Sequence, residues 1–282
     1  MKESRSGEEW ARWRTYPEYE DSGVHWLGKI PTHWTVAPLY ARFEVALGKM
    51  LDAKRISGDH LGPYLRNIDV QWDKVNIDNL PTMDFHPTER DRYLLQEGDL
   101  LVCEGGEVGR TAVWRAELPE CFYQKAIHRV RPLGDANEPR FLFYIMYAAS
   151  KLGVFTAGGN PNTIDHLTAV QLRHYRFAFP SVAEQRAIAA FLDRETAKID
   201  ALIAKKERLI ELLHIRDLKR AVLPVPKKSE QREIGVFLNA ETRRMDGLIR
   251  KVRRGIDRLK EYRTALISAA VTGKIDVREE AA

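Results

Sequence analysis

The stretch GDLLVCEGGEVGRT, from Gly98 to Thr111, is where this sequence comes nearest to a nucleotide site. A phosphate-cradling loop needs Gly-x-x-x-x-Gly-Lys-Ser/Thr, so that backbone N–H groups and a lysine meet the phosphates. Glu104 stands where the first glycine is required, and Arg110 where the lysine is. The run reads instead as a strand and a turn to which Gly105, Gly106 and Gly109 lend backbone freedom. Asn160-Pro161-Asn162-Thr163 comes near the Asn-Pro-Pro-Tyr loop of adenine methylases, but lacks the second proline and the aromatic that stacks on an extruded base. No glycine-rich strand-to-helix turn suits a methyl donor. No Asp…Glu-x-Lys cluster near Asp99 or Glu104 supplies ligands for metal-assisted cleavage. His128 alternates with strand residues, half-buried or facing outward, and has no visible partner that would make it a base. Cys103 and Cys121 are too few for a disulfide framework and lack zinc-site spacing, so they read as buried free thiols. The sequence thus offers no catalytic residue and no metal ligand set.

What remains is a question of scaffold. The first 180 residues carry short apolar runs broken by turn residues, and four of these read as strands: Gly62–Ile68, Asp99–Cys103, Thr111–Trp114 and Ala126–Val130. PRFLFYIMYAAS, Pro139–Ser150, reads as a helix with proline at its start. This predicts an α+β globule over residues 1–180.

After Pro180 the texture changes. Residues 184–213 and 230–259 are identical at 15 of 30 aligned positions, an internal repeat at an offset of 46. Apolar residues follow heptad spacing in both copies: Leu192, Ile199, Ile203, Ile210 and Leu213 in the first, and Leu238, Met245, Ile249, Val252, Ile256, Leu259 and Leu266 in the second. Such stripes pack helix against helix. Lys206 interrupts the first stripe where the second has Val252. Pro224 and Pro226 force a turn between the copies, which predicts one helical region over 181–223 and a second over 224–282. They would fold as a long antiparallel two-helix coiled-coil hairpin, each arm about 50 Å at 1.5 Å per residue.

The net charge is +5, unevenly spread: residues 181–282 hold 23 of the 45 Lys and Arg but only 16 of the 40 Asp and Glu. Basic helices suit an acidic partner, though many are simply solvated. No apolar run is long enough for a membrane span and the polar N-terminus has no signal-peptide core. A cytoplasmic location is the expectation.

Five segments carry a family resemblance: SGVHWLGKIPTHW (22–34), GDLLVCEGGEVGRTAVW (98–114), CFYQKAIHRVRP (121–132), EQRAIAAFLDRETAKIDALI (184–203) and RTALISAAVTGKIDV (263–277). Together they resemble the specificity (S) subunit of type I restriction–modification systems. The resemblance implies a non-catalytic chain that recognises double-stranded DNA. It also implies partner modification (methyltransferase) subunits, docked on the helices, which hold the S-adenosylmethionine and the adenine-methylating chemistry. Family members typically have two target-recognition domains, each followed by a helical region. This sequence resembles one from which the second domain has been removed, while its exit segment and both helices stay. Whether a restriction (endonuclease) subunit joins, and whether the chain forms a self-dimer, stays open. The other reading is a protein-only assembly adaptor with negligible DNA binding of its own.

If the globule reads a half-site, Arg, Lys, Asn and Gln must reach base edges from a scaffold that phosphate contacts hold in register. Three sets on expected turns qualify: Lys49, Arg55, Arg66 and Asn67; Arg110, Gln124, Lys125 and His128; and Asn160, Asn162 and Thr163. Asn and Gln suit adenine, and Arg and Lys suit guanine or phosphate.

Overall fold

The computed structural model describes residues 13–50, 58–156, 166–213 and 225–281. Short extended segments come first: β1 Tyr19–Asp21, β2 Lys29–Pro31, β3 Thr35–Pro38, β4 Phe43–Leu47, β5 Leu61–Leu65, β6 Val70–Gln71, β7 Lys74–Val75 and β8 Thr82–Asp84. Helix α1 (Pro87–Tyr93) precedes β9 Leu100–Cys103, β10 Thr111–Val113, β11 Phe122–Tyr123 and β12 Ile127–Pro132. Helices α2 (Pro139–Lys151) and α3 (Ala169–His174) lead to β13 (Arg176–Phe179), and the chain continues into α4 (Val182–Leu213) and α5 (Lys228–Val271).

The expected strands and helix are all present. β9 reads as a continuous apolar run because all four of its residues are buried, at the inside of an antiparallel sheet ordered β10-β9-β12-β4. A second sheet, β11-β5-β8, shares its core: Leu65, Leu101, Trp114, Tyr123 and Ile127 form one buried cluster. The two sheets approach so closely at Gly48 that a Cβ there would lie 2.2 Å from the Gln124 carbonyl oxygen. Helix α2 begins at Pro139, with the Glu138 carboxylate accepting the Arg140 N–H at 3.2 Å. Its residues Phe141–Ala149 are buried all round, as a helix apolar on every side must be. Strand β5 stops at Leu65, short of the expected Ile68, because the Asp69 carboxylate takes the Arg66 N–H and curls the chain into a turn.

Both thiols are free and buried, and burial pushes Cys103 up to about 11 and Cys121 up to about 12. Among the described residues no helix is long and apolar enough to cross a membrane.

The chain divides into two units, one of Met1–Leu192 with Ile267–Ala282, the other of Asp193–Leu266. The division falls inside α4, beyond the boundary expected at residue 180, because Ile188, Phe191 and Leu192 belong to the core of the first unit. Trp13 meets Phe191 edge-on at 4.9 Å. Buried Glu184 accepts the Tyr16 hydroxyl at 2.8 Å and the Trp34 indole N–H at 3.1 Å, and His33 Nε2 lies 3.0 Å from its other oxygen. Burial, then the bond to Glu184, drives the Tyr16 hydroxyl far above its ordinary pKa. Gln185 accepts the Glu138 N–H and donates to the Pro180 carbonyl at 2.9 Å each.

In the second unit Arg263 pairs with Asp200 at 3.1 Å, the Lys206 ammonium lies 3.5 Å from where a Cβ on Gly255 would stand, and Ile210 lines a groove with Ile256. The partners run in opposite chain directions, so these helices are antiparallel. Lys206 is accommodated by a residue with no side chain, which answers the break expected in the first stripe. Of the stripe residues, Leu192, Ile199, Ile203, Ile249, Ile256 and Leu266 are buried, while Ile210, Met245, Val252 and Leu259 are half-buried. The side chain of Leu213 lies outside the described residues. Leu238 departs from the packing expected of it and is 56% exposed.

Candidate nucleic-acid interface

The turns that follow β5, β9 and β11 come together on the first unit. Asn67 stitches them, donating from Nδ2 to the carbonyls of Gly105 at 3.2 Å and Ala126 at 3.4 Å. Its Oδ1 accepts from Arg110 at 2.9 Å. The Glu104 N–H reaches the Ala126 carbonyl at 3.1 Å, and the Leu167 N–H reaches the Glu104 carbonyl at 2.8 Å. Gly109, at φ +77°, makes the last bend beneath Phe155, whose ring would lie 2.5 Å from any Cβ there.

The structure thus gathers Arg66, Asn67, Arg110, Gln124 and Lys125 onto one cluster of turns, but most of them are engaged internally. Arg110 donates to the Val70 carbonyl at 2.7 Å and the Asn67 carbonyl at 2.9 Å. Arg66 grips buried Asp69 with two bonds of 2.8 Å, which raise its pKa further. The Lys49 ammonium donates to the Asp84 carbonyl and the Glu89 carboxylate, and lies 5.0 Å from the Phe85 ring centre. Burial would raise Glu89, but the bond from Lys49 outweighs it and holds that carboxyl below the ordinary range.

His128, expected half-buried or facing outward, is fully buried. Its Nε2 lies 2.6 Å from the Leu167 carbonyl, so this nitrogen carries the proton. Burial lowers its pKa, against a smaller opposing pull from that bond, and leaves a neutral core side chain. The reason is that β12 is an inner strand, His128 pairing with Val102 of β9 and Leu47 of β4, and Ile127–Val130 are buried on both faces of the sheet.

Gln124 is half-buried and Lys125 is exposed. Beside them stand two exposed residues that sequence reasoning passed over, Ile68, 65% exposed, and His166, against Gly105. Ile68 was masked by the apolar run that reads as strand, and His166 carries no sequence signal. Arg55, Asn160, Asn162 and Thr163 lie outside the described residues. As it stands, the cluster is a braced platform with a cation, an amide and an apolar tip on its surface, a composition able to meet phosphate and base edges.

Residues 43–212, from the first residue of β4 almost to the end of α4, match the family model described as the type I restriction modification DNA specificity domain. This chain belongs to that family. The family is described as a DNA specificity domain, and the curated relatives it matches are specificity subunits. Similar curated proteins include a specificity subunit assigned to the type I restriction enzyme MjaX of Methanocaldococcus jannaschii, 25% identical over 197 residues, 67% of this chain and 44% of the relative. The StySPI specificity subunit of Salmonella potsdam is 23% identical over 205 residues, 70% of this chain and 43% of the relative. The chain therefore spans less than half the length of these relatives. Among solved structures, the HsdS subunit from Thermoanaerobacter tengcongensis aligns with a TM-score of 0.42 and 15% identity, over 91% of this chain and 48% of that one.

Proposed function

We propose that this chain is the DNA-reading subunit of a type I restriction–modification complex, in which its single globule reads one half-site. The reading is supported by the family match over residues 43–212, which takes in the braced cluster of turns. Arg110 and Asn67 lock three turns into one platform, so exposed Lys125 and half-buried Gln124 are held ready at low entropic cost. Helices α4 and α5, as a coiled-coil hairpin, are the dock for methyltransferase subunits, which bring S-adenosylmethionine and the methylating chemistry. The basic excess of residues 181–282 suits that role as a place where acidic partner surface or DNA backbone is met.

The engagement of Lys49, Arg66 and Arg110 in internal bonds favours a second reading, an assembly adaptor with little DNA affinity of its own. One measurement separates the two. Binding of methyltransferase subunits to DNA is followed across a salt series with and without this chain. A reader steepens the salt slope and gives preference for one sequence, and Lys125→Ala removes about one unit of that slope. An adaptor changes neither.

A further inference from the structure

The two copies of the repeat match in their buried positions but differ in charge. Ile203 and Ile249 correspond across the repeat, and both are buried. Yet residues 243–258 of α5 hold 7 Lys and Arg against 2 Asp, whereas the same stretch one repeat earlier, residues 197–212 of α4, holds 4 against 3 Asp and Glu. Helix packing common to both copies therefore does not call for the excess.

Its placement is one-sided. At about 100° per residue, Arg243, Arg244, Arg250, Lys251, Arg254 and Arg258 all fall within about 70° of the line opposite buried Ile249 and Ile256. All six are exposed, and Asp246 and Asp257 stand outside that arc. Arg244 makes only a loose 3.8 Å approach to Glu241, and the other five have no ion-pair partner among the described residues. On α4, by contrast, Lys198 pairs with Glu195 at 2.7 Å and Arg208 with Glu211 at 2.8 Å. Arg250, Arg254 and Arg258 succeed one another at a spacing of four, where like charges repel, so the stripe costs the helix stability rather than adding to it.

The composition of the face selects its occupant. Five of the six cations are arginines, whose planar fork matches phosphate. The stripe is about 22 Å long at 1.5 Å per residue, and a duplex alongside presents about 13 phosphates over that length, both strands counted. A protein partner is a poorer fit, because such interfaces centre on apolar or aromatic anchors. The uncharged members of this arc are Gly247 and Gly255. An anionic membrane fails on the same ground, having no apolar side chain to receive, and a second copy of the stripe would set like charge on like.

We propose that this face of α5 binds the phosphate backbone of double-stranded DNA irrespective of its sequence. The proposal adds to the half-site reading without resting on its choice of residues: the turns supply sequence preference, and the helix supplies a sequence-independent grip.

Fluorescence anisotropy of the full chain with two labelled duplexes of unrelated sequence, across a salt series, tests it. The triple variant Arg250→Ala, Arg254→Ala, Arg258→Ala should weaken both duplexes alike, about tenfold or more at low salt, and reduce the log–log salt slope by about 2–3. Because the replaced side chains are exposed and repel one another, its melting temperature should not fall. Lys198→Ala, Lys205→Ala, Arg208→Ala removes the same charge from α4 and should leave the slope unchanged. An unchanged slope in the α5 variant, an equal loss in both variants, or a parent chain that binds neither duplex at any salt overturns the proposal. So does an α5 variant that loses methyltransferase binding while DNA binding stays intact, since the stripe would then belong to that partner. Preference between duplexes, followed in Lys125→Ala, reports on the turns alone, so the two readings fail separately.

Discussion

Two stretches of nearly the same sequence end in opposite environments. At Glu184–Leu192 the helix face is core: Phe191 meets Trp13, and Glu184 is held by Tyr16, Trp34 and His33. At Glu230–Leu238 the same residue types face outward. The repeated sequence and the glutamine-to-proline-carbonyl bond at each helix start are common to both, while Ser181 accepts the Glu184 N–H in the first copy and Lys227 stands in its place in the second; burial is decided by what the rest of the chain brings against the face. In small proteins most helical stability comes from such packing.

The largest test of that contrast is truncation of the aromatic. Phe191→Ala should cost about 3–5 kcal/mol in urea unfolding, whereas Phe237→Ala, measured where chains are single, should fall within about 0.5 kcal/mol of the parent. Equal losses would mean the second face is covered within one chain. Next comes the buried carboxylate. Glu184→Ala orphans the Tyr16 hydroxyl and Trp34 indole and should cost about 2–3 kcal/mol, while Glu230→Ala should be neutral.

A similar contrast divides the candidate interface. Arg110→Ala strands the Val70 and Asn67 carbonyls and should cost about 1–3 kcal/mol of stability. Lys125→Ala should leave stability unchanged and act on DNA affinity alone. Thermal melting of both variants beside DNA binding checks the split.

The smallest expected effect is that of pH. Burial depresses His128 below its ordinary 6.5, so between that value and the folded one the unfolded chain binds more protons. Stability from this group is complete above pH 6.5 and declines as pH falls below it. In melting temperatures followed downward from neutral pH, His128→Gln should flatten that decline.

Much of this was legible in the linear chain. Apolar runs bounded by turn residues marked β9, β10 and β12, and the repeat marked both long helices. The roles of polar residues were not legible. Arg66 and Arg110 look like reading groups until Asp69 and the carbonyls of Val70 and Asn67 are seen to hold them. Lys49 looks the same until Asp84 and Glu89 arrive from another part of the fold. His128 looks like a strand residue of either face, and both faces of β12 are covered there, Ile127–Val130 all being buried. β4, β8 and β13 were missed because each is short and mixed in character, made a strand by its partner rather than by its own pattern.

Alone, the sequence determined β5, β9, β10, β12, α2 and the two long helices, that α4 and α5 are two copies of one element, and the family to which the chain belongs. These follow from periodicity and side-chain type, which are properties of neighbours along the chain. Only the tertiary structure decided which cations are spent inside, which histidine is neutral, and which of two like helix faces is bare. Those depend on groups distant in sequence that desolvate or pair a side chain, and no local pattern encodes their arrival.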